Sequence, residues 1–157
     1  MTIALERPVG TTDPMTLLSP EVAERLTSRV TTDHPEISVD TARRIVGQAA
    51  AFIATSGREP GQNLAPSTLV DYGWHAFILH TVDYTAFCEL FAGRFVHHVP
   101  TDDGDEVTEE TRQGRERTLA AITAAGYTID RELWPDLAEC SQCHAGCSDS
   151  PNGGKKK

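Results

Sequence analysis

Pro66-Ser67-Thr68-Leu69-Val70-Asp71-Tyr72-Gly73-Trp74-His75-Ala76-Phe77-Ile78-Leu79-His80, continued by Thr81-Val82-Asp83-Tyr84-Thr85-Ala86-Phe87-Cys88-Glu89-Leu90-Phe91-Ala92-Gly93-Arg94-Phe95-Val96-His97-His98-Val99-Pro100, is the stretch on which the fold turns. Val70, Trp74, Phe77 and Ile78 fall on one face at helical spacing, after an opening Pro66-Ser67. Tyr84, Phe87, Cys88, Phe91 and Phe95 repeat at i, i+3, i+4, i+7 and i+11, which predicts a second amphipathic helix reaching Val99-Pro100, where proline stops it. Thr81 is placed to end the first helix and cap the second, and if the two form an antiparallel hairpin the start of one lies near the end of the other. Trp74, Tyr84, Phe87, Cys88, Phe91 and Phe95 are then core residues.

The same pattern extends outward. Ser38 or Asp40 caps a helix whose Ala42, Ile45, Val46, Ala49, Phe52 and Ile53 make a nearly continuous apolar stripe, ending at Gly57. Before it, Ser19-Pro20-Glu21 opens a helix carrying Val22, Leu26 and Val30. After the hairpin, six acids (Asp102, Asp103, Asp105, Glu106, Glu109, Glu110) lead into a fifth helix that stops at Gly126, and Asp130 is placed to cap a last short turn around Leu133 and Trp134. No alternating strand pattern longer than a few residues occurs. The expectation is an all-α bundle of about five helices over 19–138, with a flexible arm over 1–18 and a cysteine-rich flexible tail over 139–157.

A length of 157 residues suits one hydrophobic core. Fourteen Lys+Arg against 23 Asp+Glu give a net charge of −9, and three of the cations are the terminal Lys155, Lys156 and Lys157. That balance argues against nucleic acid and anionic membranes as partners, and leaves a protein or peptide partner for the acidic segment. Glu6 and Pro8 interrupt any signal-peptide core, and the apolar run Ile45–Ala54 is too short to span a bilayer. A cytoplasmic protein with reduced thiols is expected.

Four of the six histidines lie between positions 75 and 98. Asp71 and His75 are four apart on a helix, about 40° round its axis, so a carboxylate and an imidazole can share one ligand. A hairpin would bring His98 towards them, with His80 joining if the helix breaks near Thr81, and His97 pointing about 100° away from His98. Asp71, His75 and His98, supported by His80 or His97, suit Zn²⁺ first, with iron or copper as alternatives. The same residues also suit a hydrogen-bonded structural cluster or metal-free acid/base chemistry.

At Val70-Asp71, Trp74-His75, His80-Thr81, Tyr84, Phe87-Cys88, Gly93-Arg94-Phe95 and His98-Val99-Pro100 the chain resembles the glycine-rich domain protein-like family, in a short bacterial-type form without the long glycine-rich extension. The resemblance covers about residues 66–100. It implies that Asp71, His75 and His98 act as one constellation, and it supplies no substrate.

Cys140, Cys143, His144 and Cys147 form a second candidate metal set. Capture of zinc or copper(I) by the thiolates leads its readings. The C-x-x-C-H start also matches c-type haem attachment, which is disfavoured because attachment takes place outside the cytosol. An iron–sulfur cluster lacks a fourth thiolate, since Cys88 reads as core. The expected function is therefore metal binding, with a non-catalytic interaction module or a tail-based metal carrier as alternatives.

Overall fold

The computed structural model describes residues 10–99 and 107–136. Among them are five α-helices and no strand: α1 (Pro20–Asp33), α2 (Val39–Arg58), α3 (Thr68–Leu79), α4 (Thr81–Phe87) and α5 (Glu109–Ala124). The expected all-α architecture is present. Four of the helices begin as short polar side chains dictate. The hydroxyls of Ser19, Ser38, Ser67 and Thr108 accept from Val22, Thr41, Val70 and Thr111 backbone N–H groups, each satisfying a donor that the helix itself leaves free.

Helix α2 is the axis of the molecule. Its residues from Ile45 to Gly57 are all buried, the condition of a helix surrounded by its neighbours. Helices α1, α3 and α5 and the turns at 14–17 and 88–92 all pack on it. Burying Ile45, Phe52 and Ile53 contributes about 1.5–3 kcal/mol each. Helix α3 lies especially close, because Gly73 presents no side chain: a Cβ there would stand 2.8 Å from that of Ala49 and 3.0 Å from the Ile45 carbonyl oxygen.

The second half of the hairpin departs from the single long helix expected up to Val99. Helix α4 gives way after Phe87 to one π-helical turn, Cys88–Ala92, and the chain turns at Gly93 with φ +77°. Residues 95–99 then run without helical structure. A left-handed residue with no Cβ ends a helix readily, and here it overrides the apolar spacing that points through Phe95. Phe95 is accordingly 43% exposed, while its neighbour Val96 is buried in its place. Trp74, Tyr84, Phe87 and Cys88 are buried as expected, and Phe91 is partly so. Thr81 does not cap α4 but is its first residue, with His80 at the junction and no side-chain cap.

The described part of the expected arm, residues 10–18, is held to the core. Thr12 pairs with Tyr127 in one parallel bridge, Asp13 caps a 3₁₀ turn over Pro14–Leu17, and Met15 lies against Gly47. At the other end, Asp130 precedes the short turn Arg131–Leu133 but makes no cap, because Arg44 takes its carboxylate in two bonds of 2.6 and 2.8 Å. Gln48 ties this segment to α2. Its amide donates to the Thr128 carbonyl and accepts from Trp134 Nε1 and the Asp130 N–H, so a buried polar side chain is satisfied.

Candidate metal centre

Helix α3 supplies half of the site by its periodicity. Asp71 and His75 stand one turn apart on the same face, with His75 Nε2 3.2 Å from Asp71 Oδ2. The other half arrives from the non-helical segment after Gly93, which sets the His98 ring edge-on against Trp74, ring centroids 4.5 Å apart, and against His75 at 4.4 Å. His98 Nε2 lies 2.9 Å from Asp71 Oδ1 and 2.9 Å from His75 Nε2. Three potential ligand atoms therefore converge, as the sequence led one to expect, though the third travels on an extended segment and not on a helix.

Proton bookkeeping limits what this cluster can be. An imidazole nitrogen carries either a proton or a lone pair. With Asp71 ionised, protons on both Nε2 atoms satisfy the carboxylate but set two N–H groups head to head. A proton on His98 alone leaves the His75 lone pair facing a carboxylate oxygen, and a proton on His75 alone does the same at His98. While the carboxylate is ionised, each of these metal-free arrangements leaves one close contact repulsive; only a carboxyl proton given to His75, with His98 donating to both partners, satisfies all three without a metal. A shared cation makes all three favourable. Ligand atoms about 2.05 Å from zinc are separated by about 2.9 Å at right angles and about 3.3 Å at the tetrahedral angle, and 2.9–3.2 Å is the spacing found.

The centre is open on one side. Side-chain exposure rises from 15% at His98 through 30% at Asp71 to 55% at His75, so three protein ligands leave room for water or a further ligand. His80 and His97 do not join. His80 Nδ1 meets the Ala76 carbonyl oxygen at 2.9 Å, folded back on its own helix, and His97 is exposed with its ring against Phe95. Alternation along an extended chain separates His97 from His98. Cys140, Cys143, His144 and Cys147 lie outside the described residues, as do Asp102, Asp103, Asp105 and Glu106.

Beneath the centre lies a polar contact that sequence patterning reads only as core. Trp74 Nε1 donates to Tyr84 Oη at 3.0 Å, and Tyr84 Oη donates to the Val96 carbonyl. Burial pushes the Tyr84 phenol above the usual tyrosine range, partly offset by the bond that it accepts from Trp74. An aromatic with a hydroxyl among purely apolar rings was the available signal.

Residues 16–125 match the model of the UCP032817-like family, and the chain belongs to that family. The family is uncharacterised, and it replaces the glycine-rich domain resemblance, which rested on a short stretch of residues. Those residues now have local explanations: Trp74, Tyr84, Phe87 and Cys88 fill the core, while Asp71, His75 and His98 converge. No curated protein and no solved structure matches the chain.

Proposed function

We propose that this UCP032817-like protein binds one divalent metal ion, zinc in first place, through Asp71, His75 and His98. The observation that carries the reading is the mutual approach of three ligand atoms, whose contacts no placement of protons on the two imidazoles satisfies while the carboxylate is ionised. Two imidazoles and a carboxylate also suit Fe²⁺, and copper competes for the same nitrogens, so the metal is named by donor type and not by affinity. A metal held by three side chains with an open face can acidify a bound water or polarise a substrate oxygen. The chain's own contribution is to hold His98 against Trp74 and to leave His75 facing solvent. A reducing cytoplasmic setting suits this reading, since Cys88 is buried and has no disulfide partner among the described residues.

The test is metal content by elemental analysis after purification without a metal-affinity column. His75→Ala is expected to remove about one equivalent while far-UV ellipticity is retained, because this side chain is more than half exposed. Unchanged metal content would reject the site.

A second reading, a metal carrier that captures its ion with Cys140, Cys143 and Cys147, is favoured by one contact. The Ser67 hydroxyl, which caps α3, donates to the Leu133 carbonyl at 2.7 Å, so the chain approaches its last 21 residues beside the first turn of the helix bearing Asp71. Truncation after Ala138 is expected to abolish thiol-dependent metal uptake under this reading, and to leave the metal bound by Asp71, His75 and His98 under the first.

A further inference from the structure

His98 is held in an unusual way for a ligand. No backbone hydrogen bond joins residues 95–99 to another described residue, so neither helix nor sheet fixes this segment. Side chains do so instead. Arg94 donates to the carbonyls of Ser56 and Gly57 at the end of α2, at 3.1 and 3.0 Å. Three residues from Arg94 the chain is already at His97, so that tether alone leaves several free dihedrals before His98. Between them stands the Val96 carbonyl, which is buried and receives the Tyr84 hydroxyl.

We propose that Tyr84 is a positioning residue of the metal centre, acting through the Val96 carbonyl and through Trp74 to hold His98 Nε2 at ligating distance from Asp71 and His75. The inference rests on the metal-binding reading above. Tyr84 is suited to the task because its single oxygen accepts from one anchor and donates to the other. The indole that it fixes touches the His98 ring, and the carbonyl that it fixes lies two residues before His98. The phenol ring also packs edge-on against Phe95, centroids 5.2 Å apart, so both residues preceding His97 are gripped from one side chain. Residues that orient a ligand without touching the metal commonly change metal affinity about 10- to 100-fold when their hydrogen bond is removed.

The experiment measures zinc affinity by competition with a chromophoric chelator, in the full chain with Cys140, Cys143 and Cys147 replaced by Ser so that only the helical site is read. Tyr84→Phe keeps the ring and removes the hydroxyl. It is expected to weaken zinc binding about tenfold or more, and to shrink the rise in melting temperature that zinc produces. Ile53→Val, a core change on α2, which supplies none of the three candidate ligands, is the control, and is expected to lower stability with affinity unchanged. Equal affinity for Tyr84→Phe and its parent overturns the inference, and so does an equal loss in Ile53→Val, which would make the role merely structural. Should Tyr84→Phe fail to fold, exchange of the Tyr84 hydroxyl proton in the parent supplies the same test. Zinc is expected to slow it, since a clamp that favours binding is tightened by binding, and an unchanged rate overturns the proposal. Absence of zinc binding by the parent itself would instead overturn the metal reading on which the inference stands.

Discussion

The two halves of the candidate metal centre are built by different means. Asp71 and His75 sit on α3, where the i, i+4 spacing and the Ser67 cap fix their relation through local geometry alone. His98 reaches them on a segment that has left its helix through a π turn and a left-handed glycine, and that lacks backbone pairing among the described residues. One half is thus prepared by secondary structure, the other by tertiary contacts with Tyr84, Trp74 and Arg94. Changes to the supports of the first half, leaving the ligands themselves in place, should therefore act mainly on stability, and changes to the supports of the second mainly on metal affinity.

Ser67→Ala probes the first half and carries the largest expected effect on folding. It removes the α3 cap, costing about 1 kcal/mol, and leaves the buried Leu133 carbonyl without its donor, costing about 1–3 kcal/mol more. Urea unfolding should show a loss of about 2–4 kcal/mol, while zinc affinity of the folded molecules changes little. A large loss of affinity would show that α3 does not organise Asp71 and His75 by itself. Gly93→Ala probes the second half. Nothing lies within 4 Å of a Cβ there, so the cost is the left-handed conformation alone, about 1 kcal/mol. The account expects this smaller destabilisation to be accompanied by the weaker zinc binding of the two variants, and the reverse ranking would break the contrast.

Alkaline titration sharpens the same contrast with the smallest effect. Burial raises the folded Tyr84 phenol above its ordinary value of 10.0, whereas the unfolded chain ionises near that value. The stabilisation is therefore complete below about pH 10 and is lost as the pH rises further, because the unfolded state then releases a proton that the folded state keeps. Unfolding free energy followed from pH 9 upward should fall more steeply in the parent than in Tyr84→Phe, and parallel curves would contradict the assignment.

What was readable in the sequence follows the same division. Serine caps and apolar periodicity place α1, α2 and α3 within a residue or two and put Asp71 beside His75, while Gly126 marks the end of α5. The apolar spacing of Tyr84, Phe87, Phe91 and Phe95 suggested one continuous helix because it counts side chains and not backbone turns. Gly93 carried the contrary signal, and the alternation of exposed Phe95, buried Val96 and exposed His97 marks an extended chain. Residues 10–18 hold the composition of a loose arm, yet their contacts with Tyr127 and Gly47 come from elements remote in sequence, to which local composition is blind. His98 was assigned to the right cluster by proximity at a hairpin's end, but the Tyr84–Val96 contact that holds it depends on a path that periodicity does not describe.

The most direct measurement is zinc stoichiometry by isothermal titration in the full chain with Cys140, Cys143 and Cys147 replaced by Ser, beside the same chain carrying His98→Ala. The account predicts one equivalent bound by the first and a loss of affinity greater than about 100-fold in the second, beyond the range expected for a residue that only orients a ligand. No zinc bound by the first chain, or equal binding by both, would contradict it.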